Sequence, residues 1–303
     1  MQDTELAEKI KELKKKKNAL IVAHNYQRPE IQDLADFTGD SLELSRKSAA
    51  AKEDIILFCG VSFMAETAKV LSPSKKVLIP RKDAGCQMAD CIKPEDVDDY
   101  RLKYPAAVFV GYVNTTAAVK AKLDYCVTSA NAVDIVRKIP GKQIVFLPDN
   151  NLGLWVRKNV PEKEIILHDG RCYVHHKFKK EDVLNARAAH PDAKVLSHPE
   201  CLPEVLELSD EIASTAGMIK YAAAHPEVKK FVLGTEEGII HRLKKDRPDA
   251  EFYSLGNAQT CFNMKLIRLS HVYEALEKEQ FEVKLAPEII EKAKVPIDRM
   301  VAL

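Results

Sequence analysis

The chain has 303 residues, 46% of them hydrophobic and 30% charged, and a formal net charge of +1. That balance is ordinary for a globular protein and supplies no electrostatic attraction toward nucleic acid or an anionic membrane. No apolar run approaches the roughly 20 residues a membrane span needs, and the acidic start with Leu6, Ile10 and Leu13 at helical spacing reads as an amphipathic helix, not a signal peptide.

In chain order, a helix is predicted from Thr4 to Lys17, its Lys14 to Lys17 run forming a solvated face. Ala19 to Ala23 is a continuous apolar strand of the kind buried on both faces of a parallel sheet. It delivers His24, Asn25 and Tyr26. A helix from Pro29 to Phe37, a turn at Thr38 to Ser41, a helix to Ala51, a strand from Ile55 to Phe58, a helix from Phe63 to Leu71 and the strand Val77 to Ile79 complete the unit, which ends on Cys86.

The pattern then repeats. After a linking helix from Pro94 to Tyr104, the strand Ala107 to Val110 delivers Tyr112 and Asn114, and the unit closes with the strand Ile165 to Leu167 and Cys172. A second linker, Glu181 to Ala189, leads to the strand Lys194 to Leu196, then His198 and Glu200, and the third unit closes with Glu251 to Tyr253 and Cys261. From Ile267 onward the sequence reads as helices that close the surface. The closing cysteines lie 86 and 89 residues apart, a period that signals tandem domains. The expected architecture is α/β: three tandem three-layer α/β/α domains with parallel sheets, spanning 1–88, 89–177 and 178–303.

Register sharpens the repeat. With Ser41, Ser129 and Thr215 aligned, the position 15 residues earlier holds Tyr26, Asn114 and Glu200, and the position 17 earlier holds His24, Tyr112 and His198. The cysteines follow 45, 43 and 46 residues later. Every station falls at the carboxyl end of a parallel strand, where ligands bind in open sheets. Packed around a pseudo-threefold axis, these side chains and three thiols would meet in one cavity.

Each residue also has a plain structural reading. A Ser or Thr before a helix is commonly an N-cap, although the same helix starts can grip carboxylate or phosphate. His168, His176, His190, His225, His241 and His271 read as surface or structural. Seven cysteines with no export signal point to a reducing cytosol and a cytoplasmic protein. Cys59 and Cys126 read as small buried hydrophobes, while Cys91 and Cys201 fall near the expected site, Cys91 as a spare ligand. Cys86, Cys172 and Cys261, in register, read as metal ligands. Structural zinc takes four ligands, often in paired spacings that are missing here. A 4Fe-4S cluster on three thiolates leaves one iron open as a Lewis acid, which suits dehydration chemistry.

The motifs Ala23-His24-Asn25-Tyr26-Gln27, Gly39-Asp40-Ser41-Leu42, Gly60-Val61 with Phe63-Met64-Ala65-Glu66, Tyr112-Val113-Asn114, Thr128-Ser129-Ala130-Asn131, Pro148-Asp149 with Asn151-Leu152-Gly153, Val174-His175, His198-Pro199-Glu200-Cys201 and Ser214-Thr215 occur in one order. In these the chain resembles the quinolinate synthase family over essentially its whole length. The resemblance implies three α/β/α domains about a pseudo-threefold axis with the active site at the centre. It implies condensation of iminoaspartate with dihydroxyacetone phosphate to quinolinate, with loss of phosphate and two waters, in NAD biosynthesis. Cys86, Cys172 and Cys261 would hold the 4Fe-4S cluster. Tyr26, Glu200, His198 and Tyr112 would be catalytic, and His24, Ser41, Asn114, Ser129, His175, Ser214 and Thr215 would bind substrate. A functional link to an iminoaspartate-producing enzyme is implied, with no nucleic acid and no membrane as partner. Two departures stand out: longer family members carry a C-x2-C-x2-C run at the last ligand, where this chain has Met264 and Ile267, and Ser62 replaces a larger polar residue. The other function classes open to the sequence are a different cluster-dependent hydro-lyase and an iron or redox sensor.

Overall fold

The computed structural model describes residues 3–302. Twelve strands form three four-stranded sheets. The first contains β1 (Ala19–His24), β2 (Phe37–Gly39), β3 (Ile55–Cys59) and β4 (Lys76–Leu78). The second contains β5 (Val108–Tyr112), β6 (Tyr125–Val127), β7 (Gln143–Leu147) and β8 (Glu164–Leu167). The third contains β9 (Lys194–Ser197), β10 (Glu211–Ile212), β11 (Lys230–Gly234) and β12 (Glu251–Ser254). Each sheet repeats one order, second-first-third-fourth, and every strand pair is parallel. With helices on both faces, these are three tandem α/β/α domains.

The order has a functional consequence. The direction in which strands are added switches between the first and third strand of each sheet, whose connections leave on opposite sides, so a crevice opens beyond their carboxyl ends. The first strand of each sheet ends at His24, Tyr112 or Ser197, beside that crevice.

β1 is buried along its whole length, as its unbroken apolar run requires. The edge strands β2 and β10 depart from the sequence reading, which placed a turn or nothing there. They have three and two residues, only Gly39 among them is buried, and no apolar period marks them. The end of the chain departs too. The helix Leu269–Lys278 packs on the first helix, Asp3–Lys16, but the helix Pro287–Val301 is a wedge and not a lid. It buries Ala293, Ile297 and Met300 between the first two domains, against the helices Ser41–Ala49 and Ser62–Leu71 on one side and β6 on the other. Asn131 Nδ2 donates to the Met300 carbonyl at 3.1 Å, and Arg46 Nε to that of Val301 at 3.1 Å.

The first two sheets and this helix consequently share one continuous core. The third sheet keeps two smaller cores: Val195 and Val232 point into one, and Leu196, Phe231 and Leu233 into the other. That split is the alternation expected of strands covered on both faces. Among the described residues, no helix is long and apolar enough to cross a membrane.

Candidate active site

One cavity is lined by residues from all three domains, including His24, Tyr26, Ser41, Tyr112, Asn114, Ser129, His175, His198, Glu200 and Thr215 together with Cys86, Cys172 and Cys261. Val61, Phe63, Met64 and Met88 form its apolar wall. No lysine or arginine is among the lining residues, so the groups there that can hold an anion are neutral donors and helix starts, set beside the carboxyl groups of Asp40 and Glu200.

The hydroxyls that begin the helices are not caps. Asp40 caps the helix Ser41–Ala49, accepting from the Leu42 and Glu43 amides at 3.0 Å each. Ser214 caps Thr215–Ala224 by accepting from Gly217 N at 3.2 Å, and it donates to Asp40 Oδ2 at 2.9 Å. Ser129 caps nothing, and its Oγ lies 3.1 Å from His198 Nε2. The cap falls one residue before each expected position in the first and third domains, which frees Ser41 and Thr215 for the cavity. Ser214 is not among the lining residues.

The histidine tautomers follow from local geometry. His24 Nδ1 accepts the Tyr26 amide at 3.2 Å, and His198 Nδ1 accepts the Glu200 amide at 3.3 Å, the same i to i+2 contact in two domains. Each ring must therefore carry its proton on Nε2. Burial lowers both to about 3, so both are neutral N–H donors at pH 7.

A hydrogen-bonded chain crosses the cavity. Tyr112 O–H donates to Glu200 Oε1 at 2.5 Å, and His175 Nδ1 meets Glu200 Oε2 at 2.8 Å. His175 Nε2 lies 2.9 Å from Thr235 Oγ1 and 3.3 Å from the Tyr26 hydroxyl, which is itself 2.6 Å from Thr235. Burial works against a charged Glu200, but the facing His175 and His198 and the hydrogen bonds from His175 and Tyr112 outweigh it, so the carboxyl stays below its usual range. Burial and then the Glu200 charge push Tyr112 and Tyr26 well above theirs. Asn114 Oδ1 is buried without a hydrogen-bond partner, a vacancy that a ligand donor would fill.

The three thiols share a second repeat. The backbone amide three residues on, that of Ala89 for Cys86, His175 for Cys172 and Met264 for Cys261, favours the ionised thiol in each case. Cys86 and Cys261 stand at the N-cap positions of the short helices Gln87–Asp90 and Phe262–Lys265. Burial raises all three thiols, Cys86 to about 12, and the sulfurs also raise one another. Three thiolates gathered there call for positive charge among them, which is the chemistry of a metal centre. Cys172, His175 and Glu200 also form a group whose ligand atoms lie within 4.8 Å of one another. His175 and Glu200 are hydrogen-bonded to each other, and Cys86 and Cys261 line the same cavity as Cys172. Cys91 is exposed and outside the lining, and Cys201 is buried with its thiol donating to the Gly234 carbonyl at 3.2 Å, so neither is a spare ligand here. Cys59 and Cys126 are buried, as small hydrophobes should be.

Two further residues escaped sequence reasoning. Thr235 bridges His175 and Tyr26, and Glu236, fully buried, accepts the Cys261 amide at 3.1 Å. Both follow β11 directly, in register with the Pro148-Asp149 pair after β7, and that register is the signal that would have found them.

The family model described as quinolinate synthetase A protein matches residues 8–302. A quinolinate synthase of Caldicellulosiruptor saccharolyticus is 53% identical over 294 residues, 97% of this chain and 97% of the relative. Those of Thermodesulfovibrio yellowstonii and Aquifex aeolicus are 51% and 50% identical, covering 98% and 99% of this chain and 97% and 94% of theirs. With the match running almost end to end, the chain belongs to the quinolinate synthase family of enzymes.

Proposed function

We propose that this chain is a cytoplasmic enzyme of NAD biosynthesis that condenses iminoaspartate with dihydroxyacetone phosphate to quinolinate, releasing phosphate and two waters. The observation that carries this reading is the convergence of equivalent stations from three domains on one cavity holding both three thiols and the Tyr112–Glu200–His175 chain. The domains 1–88, 89–177 and 178–303 would each supply one thiol. Cys86, Cys172 and Cys261 would hold a 4Fe-4S cluster. When bound, such a cluster supplies Lewis acidity at the iron that lacks a protein thiolate.

The overall reaction balances without oxidant or reductant, so the chain's own residues need only bind anions and move protons. The Nε2–H groups of His24 and His198, the hydroxyls of Ser41, Ser129 and Thr215, and the Asn114 amide are neutral donors suited to two carboxylates and a phosphate. His175 donates from Nδ1 to Glu200, which leaves Nε2 to accept a proton on the Tyr26 side. The resulting imidazolium is stabilised by the carboxylate behind it. Glu200 is thus the seat of the base, working through His175, and Tyr112 fixes its second oxygen.

The test is anaerobic reconstitution with iron and sulfide, followed by metal counts and a quinolinate assay. About four irons per chain, the complement of a 4Fe-4S cluster, with quinolinate formed, and loss of both in Cys172→Ala, is the expected result. Cluster uptake without quinolinate would overturn the reaction, and no uptake would overturn the cofactor.

A further inference from the structure

The three domains are alike in their cysteines but not in what holds them. Two residues past the third strand of the second and third sheets stands a fully buried carboxylate, Asp149 after β7 and Glu236 after β11. Asp149 Oδ2 accepts the Cys172 amide at 3.2 Å while Oδ1 accepts the Leu152 amide at 2.7 Å. Glu236 Oε1 accepts the Cys261 amide at 3.1 Å while Oε2 accepts the Gly238 amide at 2.7 Å. Each carboxylate therefore ties a cysteine to the start of the chain segment after its own strand. The matching position after β3 is Val61, which has no acceptor to offer Cys86. The Cys86 loop is held at the two residues before the cysteine, by the Ser62 amide donating to the Ala84 carbonyl at 2.8 Å and, from the third domain, by Asn263 Nδ2 donating to the Gly85 carbonyl at 2.8 Å. Glu236 reaches further still: Lys265 Nζ sits 3.1 Å from its Oε1 and donates to the Tyr26 carbonyl at 2.6 Å.

We propose that Asp149 and Glu236 are positioning residues that fix the backbones of Cys172 and Cys261 in the metal-free chain, and that Glu236, through the Cys261 loop, also places Cys86 and Tyr26. Two buried carboxyl groups, each accepting two backbone amides, preset the ligand loops, so little ordering remains when metal binds. The arrangement is unequal by design of the sequence. Loss of Asp149 disturbs one thiol, whereas loss of Glu236 disturbs two and the strand end that bears Tyr26.

The inference rests on the cysteine trio being the cluster site, and its test separates the two ideas. Asp149→Asn and Glu236→Gln keep size but lose one of two acceptors. In the reconstituted holoprotein, iron release to a chelator should be about tenfold faster in D149N and faster again in E236Q, on the scale seen for outer-shell partners of metal ligands. The visible and electron paramagnetic spectra should shift with it, while the thermal midpoint of the metal-free protein changes little. Wild-type release rates and spectra in both variants would overturn the proposal. Should the variants not fold, or the wild type take up no cluster, hydrogen exchange in the metal-free wild type decides it. The Cys172 and Cys261 amides should exchange at least tenfold more slowly than the Cys86 amide; equal rates overturn it.

Discussion

Lys120 is a lysine with no exposed surface, and replacing it tests the electrostatics of the cavity wall. Its Nζ donates to the Thr115 carbonyl and lies 5.4 Å from the centre of the Phe63 ring; among the described residues no carboxylate forms an ion pair with it, and the more distant Glu66 favours its charge only in part. Burial lowers it from 10.5 to about 8. For a base held down in this way the unfolded chain binds the proton more tightly, so the cost is complete below pH 8 and disappears as the pH rises toward 10.5. At roughly 1.4 kcal/mol per unit, the charged form costs about 3 kcal/mol at pH 7. Lys120→Met removes that cost together with one hydrogen bond and one cation–π contact, each about 1 kcal/mol. The metal-free variant should then be about 1 kcal/mol more stable than wild type at pH 7, an advantage that falls by about 2.5 kcal/mol by pH 10 as wild-type Lys120 loses its proton. Urea titrations of both proteins at pH 7, 8, 9 and 10 measure this directly. A difference flat across that range would refute the account. Thr115 ends the loop bearing Tyr112 and Asn114, so the same variant should turn over about tenfold more slowly despite its greater stability.

Other consequences can be checked together. Glu200→Gln should lower turnover by about 10²- to 10⁴-fold, the usual contribution of a general base, with iron counts unchanged; near-normal turnover removes Glu200 from the proton path. Ser129→Ala takes away the partner of His198 Nε2 and one donor to substrate, and is expected to raise KM by about tenfold, one hydrogen bond's worth, with kcat less affected. Ile297→Ala opens a cavity where the helix Pro287–Val301 joins two domains and should destabilise the chain by about 2–5 kcal/mol. Because that core excludes the third sheet, calorimetry should show the first two domains unfolding earlier while the third keeps its transition.

What could be read from the sequence followed from the strength of each local signal. Apolar strands such as Ala19–His24 announce themselves, and the ends of the first strand of each sheet fix where His24, Tyr112 and His198 stand. Aligning three copies then separated cavity residues from ordinary loop polarity. The edge strands β2 and β10 failed because two or three residues, mostly half-buried, carry no period. The capping assignment failed by one residue, because Asp40 and Ser214 are as good caps as the hydroxyls beside them. The wedge helix was illegible for a different reason: amphipathic spacing shows that a face is buried, never which domain receives it.

The same logic explains why Thr235 and Glu236 stayed hidden, and why Asp149 was seen in a motif but given no role. A register built on agreement among three domains finds only what all three share, and Val61 breaks the agreement at that station. Departure from the repeat is nonetheless where one cavity acquires distinct sides. Val61 and Phe63 give the first domain an apolar wall, while the second and third supply Asp149 and Glu236 behind their cysteines. A substrate pair that differs end to end needs a site that does too, and a perfect threefold would offer three equivalent orientations. Introducing Val61→Asp tests this: Val61 lines the cavity at the N-cap of the helix Ser62–Leu71, so the variant brings a carboxyl group to an apolar wall beside the substrate's own anions. It should raise KM for both substrates by at least about tenfold, as expected for a desolvated like charge, while Val61→Ile, which keeps the wall apolar, should not. Equal effects from the two variants would mean that only the shape of this wall matters, and that its lack of charge has no part in orienting the substrates.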